Sequence, residues 1–494
     1  MLPYISTQKD YARFHKEAMP LLSETDRNHL NKKKFRKALR KMRLLEPERV
    51  KLLLLDCYSK TGRPALDPII TLRSFILMLH FGYTSVDNWV HDVRDDKALQ
   101  YLIGNWHVPS VASHYDFINR ILRVKPNLNE LYMKGKNSTA NKKKYRKLHK
   151  GDKWENYDEG DTFDLAKKYW ENADCDFNRP TRTLENVFDQ LVVRISFEKF
   201  IKENFTLSGD GTSVHIHSNK YGHAVKNPVD KQHTHRYTAP DADIGWDSDE
   251  GRYYLGFTMF TICFHVTEGI DLPMFITQRT ASQHDAITAI PAIAQMLDVN
   301  PNLKPKYFCF DSACDAEAIY SFLRHKGMLP IIDRHPGRLL LKDIIEFPRT
   351  EHAADGKPLE YINREGKPIC ACGFEMYRDG YDKSKGAIKF CCPLQAGKVS
   401  ECQLVKGGKP CRKVLNVYDK TSYKFFGPIE YRSDKWKEHY KNRTSTERIN
   451  KRILRDYKIQ DLTCYNGSKH FFFRNNRWDQ YSFGFLAQEC SVNS

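Results

Sequence analysis

Apolar positions recur with a helical period over roughly the first 125 residues, three to four positions apart within short segments. Phe35, Leu39 and Met42 mark one face of the segment NKKKFRKALRKMR, whose other face is lysine and arginine. After GRPALDP, where Gly62, Pro64 and Pro68 punctuate the chain, Ile69, Leu72, Ile76 and Leu79 predict a second helix, and Trp89, Val93 and Leu99 a third. Short helices joined by tight turns are compatible with a helix-turn-helix module. Between Lys134 and Lys153 apolar content nearly vanishes, as in a linker or a basic loop. Leu184, Val187, Leu191 and Ile195 then restore helical spacing over Thr183 to Glu203.

From Phe205 the pattern changes to strand runs: FTLSGDGTSVHI, RYYLGFTMFTICFHV and LPMFITQRTA. A helix after His284 (Ala286, Ile290, Ile293, Met296) leads to the strand YFCFD, a helix over Ala316 to Lys326 and the strand MLPIID. Three consecutive strands followed by strand and helix in alternation predict an α/β core with a mixed sheet. From about His335 to Pro428 the pattern breaks into Gly-, Lys- and Cys-rich sequence that reads as an insertion into the core. The organisation expected is a helical DNA-binding region over 1–130, a basic linker and connecting helix over 131–200, and the first part of the core over 201–334. The Cys-rich insertion follows over 335–430, and the last part of the core over 431–494.

Length and composition sharpen this. At 494 residues the chain is long enough for about three domains of roughly 150 residues. Lysine plus arginine number 79 against 61 aspartate plus glutamate, a charge of +18 that favours a polyanionic partner: nucleic acid first, an anionic membrane surface second. The longest uncharged apolar stretch, Tyr253 to Thr267, is shorter than the about 20 residues of a spanning helix and rich in strand formers, so no membrane partner is expected. The segment MLPYISTQKDYARF lacks the charged start and apolar core of a secretory signal. Thirteen cysteines, an odd number, fit a reducing cytoplasm better than a disulfide framework.

Location singles out three acids among the 61. Asp210 stands where the apolar run FTLSGDG meets its glycines, and Asp311 terminates YFCFD. Side chains at strand ends of α/β sheets emerge from a rigid support into a crevice, and carboxylates there can share hard cations. The bland alternative for each is a helix cap or turn aspartate. Glu447 lies in KNRTSTERINKRILRDYKI, where Ile449 and Ile453 form the buried stripe and place it on the polar side beside Lys451. Thr444 with Glu447 also fits a capping box, which would make the glutamate purely structural.

In this order the three segments resemble the DDE transposases of bacterial insertion sequences, in the group whose third acid lies in a signature of Tyr, two residues, Arg, three residues, Glu, six residues, Lys. Tyr440, Arg443 and Glu447 match that spacing; the lysine position holds Leu454, with Arg455 beside it and Lys451 one turn earlier. GRPALDP, HVPSVASHYDFINRI and DSACDAEAIYSFLRHKGMLPIIDR resemble the flanking regions of the same enzymes. The resemblance implies an RNase H-like core in which Asp210, Asp311 and Glu447 are catalytic and hold Mg²⁺ or Mn²⁺. It further implies DNA contacts by Tyr440, Arg443 and Lys451 or Arg455, and a homo-oligomer on double-stranded DNA, both terminal inverted repeats and target, in the cytoplasm at the nucleoid. Two metal ions bridged by three carboxylates would activate a water or 3′-hydroxyl and stabilise the leaving oxygen; Arg443, Arg448 and Arg452 are available to face the phosphate. A non-catalytic DNA-binding descendant and a nuclease without joining activity are the alternatives.

Three further features have two readings each. His215, His217, His223, His233 and His235 crowd the segment after Asp210, as surface or DNA-facing side chains or as a metal site. Cys370, Cys372, Cys391, Cys392, Cys402 and Cys411 could supply four thiolates to a structural zinc ion or stand as reduced thiols. Aromatic and basic residues interleave in KHFFFRNNRWDQY, which would dock on the sheet or stack on unpaired bases.

Overall fold

The computed structural model describes residues 4–123, 179, 181–200, 204–219, 223–226, 233–236, 239, 241–267, 270–335, 344–345, 362–363, 366–370, 374–401, 414–456 and 471–473. The basic linker between Lys134 and Lys153 and the cysteines 372, 402 and 411 lie outside the described residues.

The first part is helical: α1 (Gln8–Ala18), α2 (Glu24–Asn31), α3 (Lys33–Leu44), α4 (Lys51–Leu55), α5 (Pro68–Phe81), α6 (Val86–Asp95), α7 (Lys97–Ile103) and α8 (Val111–Ile121). Helix α5 shows why the punctuation falls where it does. The Asp67 carboxylate accepts from the Ile69 amide at 2.9 Å, Pro68 fills the first helical position where no amide is needed, and Gly82 ends the helix at φ 87°, a conformation that favours glycine. Ile69, Phe75, Ile76, Leu77 and Met78 are all fully buried, so α5 is enclosed by its neighbours α3, α7 and α8. The fully buried Ser74 hydroxyl is satisfied: Ser74 Oγ accepts from Trp89 Nε1 at 2.8 Å and donates to His114 Nε2 at 2.9 Å, while His114 Nδ1 donates to the Ser110 carbonyl at 2.8 Å. Burial pushes the His114 pKa down, which keeps the ring in the neutral form this chain of bonds requires.

On α3 the expected apolar stripe points inward, with Ala38 and Met42 fully buried. The basic face is only partly a solvated one. Lys41 is buried, which lowers its pKa to about 7, and Lys34 donates to the Phe81 carbonyl at 3.0 Å; Lys33, Arg36, Lys37 and Arg40 stay exposed.

Helices α9 (Arg182–Phe188) and α10 (Arg194–Phe200), joined by a π-turn over Asp189–Val193, bury Leu184, Val187, Leu191 and Ile195 and lead into the sheet. Its strands are β1 (Thr206–His215), β4 (Asp243–Asp247), β5 (Arg252–Thr267), β6 (Ile270–Thr280), β7 (Tyr307–Phe310) and β8 (Leu329–Ile332); β2 (His223–Lys226) and β3 (His233–Arg236) form a separate hairpin. Across the sheet the order runs β6, β5, β1, β7, β8, with β4 pairing the first residues of β5. The β6–β5–β1 pairs are antiparallel and β1–β7–β8 parallel, the mixed sheet that the strand pattern predicts. Helices α11 (Asp285–Val299) and α12 (Glu317–His325) follow β6 and β7.

After β8 a three-stranded antiparallel sheet, β9 (Tyr377–Asp382), β10 (Ala387–Cys391) and β11 (Val414–Tyr418), carries its own apolar cluster of Met376, Ile388, Phe390, Leu415, Val417 and Phe426. Ion pairs Arg324–Asp419 at 2.9 Å and Lys424–Asp315 at 2.8 Å fasten it beside α12. Helices α13 (Asp434–Tyr440) and α14 (Thr444–Arg455) return to the sheet.

Phe471, Phe472 and Phe473 are buried, yet their place is not on the sheet as the sequence suggested. They enter the helical region, where Phe472 meets Phe75 edge-on at 4.9 Å and Phe117 at 6.3 Å, and Phe473 meets Phe75 at 5.8 Å. Base stacking by these rings is excluded by the same contacts. Truncating Phe472 to alanine would leave a cavity between α5 and α8, and the expected loss is about 3–5 kcal/mol of stability. Chemical denaturation of the full chain measures it; a loss under about 1 kcal/mol would mean the ring is not a core residue.

Candidate functional site: a carboxylate cluster beside β1

The sequence places Asp210 at a strand end, but the structure places it inside one. β1 continues to His215, paired with β5 through His215 opposite Gly256, so the flanking glycines form no turn. What ends near Asp210 is the neighbouring strand. β7 pairs with β1 only from Thr206 to Ser208 and stops at Phe310, so Asp210 faces the open edge left beyond it and Asp311 is the first residue past that end. The crevice therefore arises from unequal strand lengths.

Alternation along β1 puts Ser208 and Asp210 on the same face, and helix α14 packs there. Ser208 Oγ and Thr446 Oγ1 share a hydrogen bond of 2.6 Å, fully buried, which fixes the residue next to Glu447 against the residue two before Asp210. On the far side Arg448 binds Asp271 with both nitrogens, at 2.6 and 2.8 Å, and His265 adds a third contact at 2.8 Å. Burial would raise the Asp271 carboxyl, but these partners hold it below its ordinary value. Arg448 thus anchors α14 to β6 and does not line the acid cluster as expected.

The capping box at Thr444 does not form. Thr444 Oγ1 donates to the Lys441 carbonyl, and the exposed Glu447 carboxylate instead takes Arg443 at 2.7 Å, one helical turn back. Asp311 does cap, accepting from the Ala313 amide at 2.9 Å with one oxygen, which leaves its other oxygen outside that bond. Tyr440 stacks on Trp436 at 4.3 Å, and burial raises its hydroxyl to about 12. Lys451 and Arg455 are exposed, and Leu454 at the family's lysine position is half-buried against the core.

Asp210 makes no hydrogen bond among the described residues. Burial raises its pKa well above the carboxylate range, and Asp285, Asp311 and Glu447 push it further; Arg443 alone opposes them. Asp285, which no sequence motif flagged, is the strongest of those neighbours. It is the first residue of α11 and is itself raised to about 6, by burial and then by Asp311. Four neighbouring carboxylates offer oxygen donors of the kind a hard divalent ion prefers. Their oxygens do not close on one point: no three of them lie within 4.8 Å of one another. A pair of ions sharing Asp210 fits such a spread better than a single ion does.

Elsewhere among the described residues, one group does close to that distance. His215, Asp247 and Glu250 lie at the β4–β5 hairpin, with His215 Nε2 at 2.8 Å from Asp247 and Nδ1 at 3.9 Å from Glu250. Ser213 donates to the same Asp247 oxygen, and the other oxygen caps the turn amides of Asp249 and Glu250. These bonds explain the group as a hairpin clamp. Of the remaining histidines, His217 and His223 are exposed. Cys370 belongs to the apolar cluster of the small sheet, and the Cys391 thiol faces Asp379 at 3.7 Å. With Cys392 these thiols make no common ligand set.

Residues 26–120 match a family model described as a transposase domain (DUF772). The match runs from α2 to the end of α8, within the helical region, and does not reach the acids. A comparison with curated proteins gives no match. No single helix among the described residues is long and apolar enough to cross a membrane.

The raised carboxyls make stability depend on pH in a defined direction. A carboxyl whose folded pKa exceeds its unfolded value favours folding when protonated, so its contribution is present below pH about 4 and lost as pH rises through the raised value, about 6 for Asp285, with Asp210 shifted in the same direction. Without divalent ions, Asp210→Asn is expected to unfold at a higher temperature than the parent at pH 7, with the gap closing towards pH 4. A gap independent of pH would show that Asp210 carries no such strain.

Proposed function

We propose that this chain is a DDE transposase that binds the terminal inverted repeats of its element and cuts and joins DNA with Asp210, Asp311 and Glu447. The observation that carries the reading is the position of Asp210, unpaired on the central strand beside the open end of β7, with Asp311 and Glu447 both bearing on it. The strand order β6, β5, β1, β7, β8, three antiparallel strands followed by two parallel ones, supports an RNase H-like core. The transposase-domain match over 26–120 supports the same assignment independently of the acids.

Two Mg²⁺ or Mn²⁺ ions held by these carboxylates would supply an activated water or 3′-hydroxyl and charge neutralisation at the phosphate. The chain's own part is positional. β1 supplies a rigid central support for Asp210; the 3₁₀ turn after β7 orients Asp311 through the Ala313 amide; and the Ser208–Thr446 bond sets the height of Glu447 over the strand. Arg443 holds Glu447 in the free protein and is placed to face a bound phosphate when that glutamate turns to a metal. Lys451 and Arg455 extend the positive surface along α14. The exposed face of α3 is a second phosphate-binding surface, within the transposase-domain match.

Asp210→Asn, Asp311→Asn and Glu447→Gln keep size while removing the charge a metal ligand needs. Each is expected to lower Mg²⁺-dependent cleavage of a duplex carrying the element's ends by about a thousandfold or more while leaving DNA binding intact. Near-normal cutting by Glu447→Gln would return Glu447 to a helix residue paired with Arg443. Cutting unaffected in all three would place the active site elsewhere, and no Mg²⁺-dependent cutting by the wild-type chain would remove the enzyme reading and leave a DNA-binding protein.

Binding itself should fall steeply with salt, because each neutralised phosphate releases counterions with a slope near 0.9 per contact. Changing Lys33, Arg36, Lys37 and Arg40 together to glutamine is expected to weaken duplex binding by the full chain and flatten its salt dependence. An unchanged salt slope would assign the duplex to another face.

A further inference from the structure

We infer that Asp285 is a fourth carboxylate of the same metal site, a ligand on the Asp311 side, at a position that no sequence motif marks; the inference rests on the transposase reading above. The first observation is a contact. Gly211 follows Asp210 in β1, and a side chain there would put its Cβ 2.1 Å from Asp285 Oδ1 and 2.5 Å from its Cγ. Glycine at 211 is thus what lets the Asp285 carboxylate lie directly on the strand, and a β-carbon at that position would force it away.

The second observation is what Asp285 does not do. An aspartate in the first turn of a helix is ordinarily explained by the free amides and the helix dipole. Here the cap of α11 is His284, whose Nδ1 accepts from the Ala286 amide at 3.2 Å, and the Asp285 carboxylate makes no hydrogen bond among the described residues. Instead it is turned away from the helix axis onto β1. There its charge bears on Asp210, and Asp311 bears on it.

A carboxylate held without hydrogen bonds beside two others is unfavourable in the free protein, and a divalent cation reverses the sign of that interaction. Asp285 reaches the cluster from α11, while Glu447 reaches it from α14. Asp210, between them, is the ligand that both halves share.

The test is Mn²⁺ binding to the full chain, followed by calorimetry and by the electron paramagnetic resonance of the bound ion, with no DNA present. Wild-type protein is expected to bind Mn²⁺ and to gain thermal stability from it. Asp285→Asn, which keeps the size of the side chain, should weaken Mn²⁺ binding at least tenfold and lose most of that gain while unfolding no earlier than wild type in the absence of metal. Asp285→Glu, which restores the charge on a longer arm, should recover part of the binding, which a merely structural role would not produce. If Asp285→Asn binds Mn²⁺ with wild-type affinity while Asp210→Asn does not, Asp285 is no ligand and the transposase reading stands. If Asp210→Asn also binds Mn²⁺ normally and cuts DNA, the metal site itself is misplaced and both readings fall.

Discussion

Like charges brought together in a partly buried crevice repel one another, and that repulsion is the constraint around which the central part of this molecule is organised. Two unit charges 4 Å apart interact by about 4 kcal/mol at the effective dielectric of a protein surface, so a group of acids disperses unless the scaffold prevents it. The scaffold here is a strand that runs past its parallel neighbour. β1 is held over its whole length by β5 on one side, which leaves its other edge free to present Asp210 where β7 has stopped. Two supporting contacts are made by residues outside the acid cluster, Ser208 to Thr446 and Arg448 to Asp271, and the third is an uncharged amide, Ala313 to Asp311. Each fixes an element without neutralising the carboxylate it positions. Only Arg443 does that, and it is a long, re-orientable side chain on the surface.

Under the proposed function, the basic and acidic parts of the chain would serve two needs of one substrate. Duplex DNA needs cations along its backbone, whereas phosphodiester displacement needs a site whose anions collect metal ions. The protein separates the two in space: the lysines and arginines of α3 lie on the helical region, and the carboxylates lie on the sheet. Yet the two regions share a continuous apolar core, with Arg49 of the helical part paired to Glu198 of α10 at 3.1 Å. Under the proposed function, DNA held on one would be presented to the other by a single packed body.

Much of this was legible in the sequence because the signals were local. The strand runs gave β5, β6, β7 and β8 within a residue or two, and Pro68 with Gly82 marked the limits of α5. The spacing of Tyr440, Arg443 and Glu447 singled out one glutamate, whose charge bears on Asp210 in the fold. What failed were inferences in which a local rule has two solutions. Glycines beside Asp210 suggested a turn; they serve a close approach, since Gly211 makes room for a carboxylate from α11. Thr444 with Glu447 suggested a capping box, but a preceding 3₁₀ turn continues into α14 and puts Arg443 within reach instead. Asp285 was invisible because an acid in a helix's first turn is the commonest of arrangements. Arg448 was assigned to the site because sequence neighbours were treated as spatial neighbours, whereas its partner Asp271 is 177 positions away.

The placement of Phe472 and Phe473 against Phe75 and Phe117 also bears on how the molecule is made. A chain emerging from the ribosome at about 5–20 residues per second would present α5 and α8 long before the residues that complete their packing. During that interval, tens of seconds, the apolar surface around Phe75 is open to water and to other chains. The helical region is thus synthesised well before it is sealed, so the polymerisation order of the chain sets a window in which this protein is most exposed to chaperones and to aggregation.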